Sequence, residues 1–293
     1  MRLVPLLRRT ALGVLLSLSS LAPALAAPVP IVAAENFYGE LARQVGGEHV
    51  AVTSILSNPE QAPHSFEASP RTARDLAHAR LVIYNGIGYD RWIGPLLSAS
   101  PAPGREELVA AQLVGKRDGD NPHLWYLPST MPAVARAIGA WLDTHDAAHK
   151  ADYDARLATT LKQLQAVETR VAQMRQRYHG QPVTATEPVF GYMAEALGLE
   201  MRNTGFQLAV MNETEPSASD VAAFETDLRK RRVKALIYNG QTSDQMTRRL
   251  LSIARRAGVP VVAVSETQPP GKRFDQWQIE QLDALDKALA AQH

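Results

Sequence analysis

The chain has 293 residues, 31 of them Lys or Arg and 30 Asp or Glu, and a formal net charge of +1 excludes the broad basic surface of a nucleic-acid binder. It contains no cysteine, which excludes disulfides, thiolate metal sites and attachment of lipid to a cysteine. The one dense basic run, Arg229-Lys230-Arg231-Arg232, reads as a solvated helix end.

Residues 1–26 read as a secretion signal. Arg2, Arg8 and Arg9 give a positive start, Ala11 to Leu21 is mostly apolar, and Ala24-Leu25-Ala26 is a small-residue cleavage site before Ala27. The apolar run is too short for a membrane span and is broken by Pro23. Arg8-Arg9 invites a twin-arginine reading, but the flanking residues fit that signal poorly. Removing three arginines and no acids leaves 28 basic against 30 acidic residues, a net charge of −2. We expect a soluble periplasmic protein whose remaining length suits two domains.

Strand-like apolar runs then alternate with helical patterns. Residues 30–34 are predicted as a strand, 37–45 as a helix, 50–56 as a strand, 71–79 as a helix and 81–84 as a buried strand. Residues 130–142 form a further helix on the same pattern. This is the βα rhythm of a parallel sheet covered by helices.

The rhythm breaks between His149 and Tyr178, where there is no glycine or proline. Tyr153, Leu157, Leu161, Leu164, Val167, Val171 and Met174 recur every three or four residues, so one continuous amphipathic helix is predicted, stopped by Gly180 and Pro182. About 30 residues span roughly 45 Å, enough to run along two domains. A helical hairpin or coiled-coil arm is the alternative, but a single apolar stripe without partner heptads argues against it.

The βα rhythm then resumes: strand 182–186, helix 188–197 closed by Gly198, helix 219–232, strand 235–238, helix 244–257 closed by Gly258, strand 259–264 and helix 275–291. This half echoes the first. Leu81-Val82-Ile83-Tyr84-Asn85-Gly86 matches Ala235-Leu236-Ile237-Tyr238-Asn239-Gly240, each after a helix opened by a Pro/Ser turn. The expected fold class is α/β: two βα lobes with parallel-type sheets, an N-terminal lobe over 27–148 and a C-terminal lobe over 180–293, joined by the helix at 149–179. A ligand between two such lobes is a binding-protein layout.

Four residues converge on that cleft in this reading. Ligands collect beyond the carboxyl ends of the strands in open α/β sheets. His64 follows the strand ending near Leu56, Glu187 directly follows the strand at 182–186, and Glu266 directly follows the strand at 259–264. His123 lies in the loop before the helix at 130. Pro63, Pro122 and Pro188 adjoin three of them and stiffen loops that must hold a ligand atom in place. Two neutral imidazoles and two carboxylates make a charge-balanced site for one divalent ion. Taken singly, each has a plainer reading: a histidine packed by an aromatic, or a glutamate complementing a helix dipole. His49, His78, His145, His149, His179 and His293 keep that plainer reading. His145 and His149 are spaced to chelate on a helix face, but no third ligand is in view. Glu213 and Glu215 read as loop residues entering the next helix.

With these residues in place the chain resembles the periplasmic metal-binding components of ABC importers, the cluster that carries zinc, manganese or iron. The resemblance rests on His64-Ser65-Phe66-Glu67-Ala68-Ser69-Pro70, on Asn121-Pro122-His123-Leu124-Trp125, and on Glu187 followed by Tyr192-Met193-Ala194 and Leu197-Gly198-Leu199. It implies metal ligation by His64, His123, Glu187 and the acid after the last strand, two lobes on a rigid backbone helix, and a membrane permease as recipient. The chain departs from the family in carrying Glu266 where Asp is usual, which leaves Asp244 as the fallback fourth ligand.

The ligand set has two nitrogens, two carboxylates and no thiolate, which suits manganese or iron(II), while imidazole also suits zinc. The resemblance implies manganese when the third ligand is Glu, and the chain lacks the long His-rich loop of many zinc members. We therefore expect manganese as cargo, with zinc or iron as alternatives, in a monomer without catalytic activity. Two other functions compete with this one. A secreted metalloenzyme built on two histidines and a carboxylate would need a general base, and Glu67 and Glu213 are the nearby candidates, with no His-Glu-x-x-His in the chain. A binder of haem or an iron chelate would need an aromatic and Arg-lined cleft instead of four small-ion ligands.

Overall fold

A computed structural model describes residues 27–58, 66, 68–242 and 244–291. The secretion signal expected at 1–26, and His64 and Glu67 of the first histidine motif, lie outside the described residues.

The N-terminal lobe begins with β1 (Val29–Glu35), α1 (Asn36–Gly46) and β2 (Val50–Leu56). It continues through α2 (Pro70–His78), β3 (Leu81–Tyr84), α3 (Ile93–Ala99), β4 (Glu106–Val109) and the short α4 (Ala110–Leu113) to α5 (Thr130–His145). The four strands form one parallel sheet in the order β2-β1-β3-β4. Parallel sheets are covered on both faces, and β3 follows that rule: Leu81 and Ile83 enter the main core while Val82 packs with Leu76 and Ile93 on the other side.

Helix α6 (Lys150–Tyr178) runs unbroken for 29 residues, about 43 Å at 1.5 Å per residue. Its buried stripe of Tyr153, Thr160, Leu164, Val167, Val171, Met174 and Tyr178 is the one read from the sequence with Thr160 and Tyr178 added; Leu157 and Leu161 are half-buried. It packs on α1 and α5 of the N-terminal lobe and on the last helix of the C-terminal lobe, so the hairpin alternative does not hold.

The C-terminal lobe comprises β5 (Pro182–Ala185), α7 (Gly191–Ala196), β6 (Glu200–Arg202) and α8 (Thr204–Met211). Then come α9 (Ala218–Arg229), β7 (Leu236–Asn239), α10 (Gln245–Ala257), β8 (Val261–Val264) and α11 (Phe274–Ala290). Its sheet order, β6-β5-β7-β8, is again all parallel and repeats the first lobe strand for strand. The Tyr-Asn-Gly echo therefore marks the ends of equivalent strands, β3 and β7. Helix α10 shows why the boundaries were readable. Asp244 caps its first turn through the Thr247 amide at 2.8 Å, and Gly258 closes it in the left-handed conformation at φ 72°.

Several elements depart from the sequence reading. Strands β4 and β6 were missed because they are edge strands of four and three residues with polar, partly exposed side chains, which carry no apolar run. Helices α3 and α8 were missed as well. The helix expected at 188–197 is split: Pro188–Phe190 is a 3-10 turn, and the α-helix starts only at Gly191.

One apolar core crosses from lobe to lobe. Phe37 of the first lobe packs against Trp125 at 5.1 Å and against Trp277 of α11 at 6.1 Å between ring centroids. Tyr126 meets Phe190 at 5.1 Å and Trp277 at 6.2 Å. Aromatic pairs at these spacings add to the area they bury. This junction ties the lobes into one packed body. Among the described residues no helix is long and apolar enough to cross a membrane.

Candidate metal centre

His123 sits in the loop between α4 and a 3-10 turn at Leu124–Tyr126, with its side chain almost wholly buried. Tyr89 and Trp125 enclose its ring edge-on at 6.1 and 5.3 Å. Its tautomer follows from the neighbours. Asn121 donates its amide to the Pro188 carbonyl at 2.7 Å, which can only accept, so the Asn121 oxygen must face the imidazole. That oxygen lies 2.6 Å from Nδ1. Nδ1 is therefore the protonated nitrogen, and Nε2 carries the lone pair that a metal would use. Tyr192 donates to the Asn121 carbonyl at 2.9 Å, so the C-terminal lobe grips the histidine loop from two sides.

Glu187 follows β5 directly. Its backbone caps the 3-10 turn, but its side chain makes no capping bond. The carboxylate instead accepts from the Thr242 hydroxyl at 2.8 Å and from the Asn239 amide at 3.4 Å. Glu266 lies two residues past β8 and is 3% exposed. The same Asn239 amide donates to it at 2.6 Å, and its Oε2 stands 3.9 Å from His123 Nε2. The Gln241 side-chain oxygen takes the backbone amides of Glu266 and Thr267 at 2.6 and 3.1 Å, pinning this loop. The structure thus draws His123, Glu187 and Glu266 around the end of β7, with Asn239 bridging the two carboxylates.

Burial, reinforced by the negative charge of Glu187, pushes Glu266 up to about 7; hydrogen bonds from Tyr89 and Asn239 oppose the rise without cancelling it. Two carboxylates and an imidazole lone pair, with His123 and Glu266 buried and Glu187 half-buried, form an acceptor cluster that a divalent cation would neutralise.

A cleft of about 580 Å³ opens above this cluster, lined among others by Ile87, Trp92, His123, Glu187, Met211 and Glu213. Among the described residues no three His, Asp or Glu side chains by themselves make up a metal-holding group. The fallback ligand is otherwise engaged: Asp244 accepts from both the amide and the hydroxyl of Thr247, at 2.8 and 2.6 Å. Glu213 lines the cleft and Glu215 is exposed. His145 stacks on Trp141 at 4.2 Å and pairs with Glu106, while His149 stacks on His49 at 3.8 Å, so these two histidines do not chelate together. Sequence reasoning missed Asn121, Asn239, Thr242 and Tyr89. The repeated Tyr-Asn-Gly was the signal for Asn239.

The family model for the periplasmic zinc-uptake complex component A, ZnuA, matches residues 31–288. The chain belongs to this family. It is a periplasmic metal-binding component of ABC importers, and its work is transport, not catalysis. Among relatives, the iron-binding protein YfeA of Yersinia pestis is 25% identical over 214 residues, 67% of this chain and 68% of YfeA. Two solved structures share the fold. The periplasmic zinc-binding protein TroA of Treponema pallidum matches with a TM-score of 0.74 at 17% identity, over 90% of this chain and 99% of TroA. The solute-binding protein FpvC of Pseudomonas aeruginosa, solved with Mn2+, matches with a TM-score of 0.74 at 17% identity, over 91% and 100%. Membership in this family excludes the metalloenzyme reading.

Proposed function

We propose that this family member captures one divalent transition-metal ion as cargo on His64, His123, Glu187 and Glu266 and delivers it to the permease of an ABC importer. The observation that carries the reading is the bridge through Asn239, which holds both glutamates on one amide while Glu266 faces His123 at 3.9 Å. Two lobes supply two ligands each, so the ion fastens one lobe to the other.

Manganese is the favoured cargo, with iron or zinc as alternatives. A donor set rich in oxygen and free of thiolate suits manganese and iron(II). Among similar proteins YfeA is an iron binder, TroA a zinc binder, and FpvC holds Mn2+, so this scaffold takes more than one metal. Tighter zinc binding in solution would follow from the Irving–Williams order whichever ion is carried. In this reading the chain is a monomer freed by cleavage after Ala26, with an N-terminal lobe at 27–148, a connecting helix at 149–179 and a C-terminal lobe at 180–293. The test is metal analysis of protein purified from its native compartment, repeated with Glu187→Ala and Glu266→Ala. Retention of wild-type metal content by both variants would sink the four-ligand site.

A further inference from the structure

The two lobes place an acid and an asparagine in matching positions. In the first lobe Ala33 of β1 is in register with Ile83 of β3, and two residues further on stand Glu35 and Asn85. In the second lobe Ala185 of β5 is in register with Ile237 of β7, and two residues further on stand Glu187 and Asn239. Glu35 is thus the counterpart of Glu187, yet its fate is opposite. Glu187 reaches the cleft, whereas Glu35 is 2% exposed and turns into the protein.

There Glu35 meets Asp90, itself 3% exposed. Neither oxygen of Glu35 meets a hydrogen-bond donor at bonding geometry. Asp90 has donors, the backbone amides of Asn85 at 2.6 Å and Gly86 at 3.0 Å. Among the described residues, the other titratable groups acting on the pair are Tyr38 from α1, Tyr84 at the end of β3 and Tyr89 from the same turn, with Glu266 beyond Tyr89; none is a cation. Two adjacent buried carboxyls in such a setting cannot both ionise. A proton between them supplies the donor that Glu35 lacks and leaves Asp90 able to hold its amides.

The turn that Asp90 clamps has a task. It carries Ile87 at φ 45°, a left-handed conformation that a β-branched residue adopts only under constraint. It also presents Asn85, whose side-chain oxygen accepts from the Tyr38 hydroxyl at 2.9 Å and whose amide donates to the Pro122 carbonyl at 2.8 Å. Pro122 precedes His123. We propose that Glu35 and Asp90 hold one proton between them and act as a positioning pair for His123, locking the Asn85–Asp90 turn whose Asn85 amide holds the Pro122 carbonyl. The inference rests on the reading of His123 as a metal ligand.

The test uses the full mature chain in metal-free form, with Mn2+ as the probe in competition with a chromogenic chelator. An amide at position 35 donates to Asp90 as the shared proton does, so Glu35→Gln keeps Mn2+ affinity within about threefold of wild type. Glu35→Ala leaves Asp90 without that partner and weakens binding at least tenfold, in the range seen when supports of metal ligands are removed. A second readout does not depend on the alanine variant folding. A carboxyl held protonated in the folded state contributes stability that is complete below the ordinary carboxylate range and is lost as pH rises toward its folded value. On a Glu266→Gln background, which silences that other buried acid, the melting temperature should therefore fall as pH rises, and Glu35→Gln should flatten the fall. Equal affinity losses for Glu35→Gln and Glu35→Ala, or an unchanged pH slope in Glu35→Gln, would overturn the positioning pair. His123→Ala serves as the control. Wild-type Mn2+ binding by that variant would overturn the ligand reading itself, and with it this inference.

Discussion

The Tyr126 hydroxyl, from the N-terminal lobe, lies 2.7 Å from the carbonyl of Ser265, the residue before Glu266. Its other close partner is the Gln281 side chain of α11, at 2.6 Å, which also accepts the Ser265 amide at 3.2 Å. Two residues past Glu266, Gln268 exchanges two hydrogen bonds with Asn36 of the first lobe, at 2.7 and 3.2 Å. Glu266 is therefore held from both sides by contacts that cross between the lobes. Its position depends on their packing as much as on its own strand.

Tyr126→Phe keeps the ring and deletes the hydroxyl, leaving buried acceptors short of a donor. We expect a loss of about 1–3 kcal/mol in urea unfolding of the metal-free protein. Mn2+ affinity should also weaken, because the Ser265-Glu266 segment loses a tether. Unchanged stability would mean that the hydroxyl is not a tether between the lobes.

Asn239→Ala removes the amide that bridges Glu187 and Glu266. The two carboxylates then lose a shared donor and repel each other more strongly. Mn2+ affinity should fall about 10–100-fold, as is typical when a residue that orients metal ligands is lost. Competition titration would measure it, and Thr242→Val, which removes one hydrogen bond to Glu187 alone, should cost less.

Glu266 sets a pH dependence whose sign can be stated. Its folded value near 7 lies above its ordinary 4.5, so its contribution to the stability of the metal-free protein is full below about 4.5 and is lost as pH rises through 7. A bound cation favours the ionised form, so metal affinity should run the other way and drop as pH falls below 7, with a proton released on binding. Calorimetry in buffers of different ionisation enthalpy would count that proton, and Glu266→Gln should abolish its release.

Trp277→Ala leaves a hole in the core where the lobes meet, removing a ring packed on Phe37, Tyr126 and Phe274. The expected cost is about 3–5 kcal/mol, readable as a lower urea midpoint. If the lobes unfold in separate steps in this variant, the shared core is what makes the wild type behave as one unit.

Much of the architecture was legible because it is periodic. The strands β1, β2, β3, β5, β7 and β8 are apolar runs, α6 is a long stripe without a breaker, and the Tyr-Asn-Gly echo announced two lobes of one design. Edge strands β4 and β6 carry no such signal, since a strand of three or four half-exposed residues has no pattern to read. Of the site, the sequence by itself determined which residue types stand after which strands, because local hydropathy marks strand ends and proline marks stiff loops. It also located the asparagine echo without its meaning. Only the tertiary structure decided that Glu266 and not Asp244 faces His123, that Asn239 joins two glutamates, and that Glu35 turns inward where its counterpart Glu187 reaches the cleft. Those outcomes depend on side-chain direction and burial across residues more than 25 positions apart, and no local pattern encodes that.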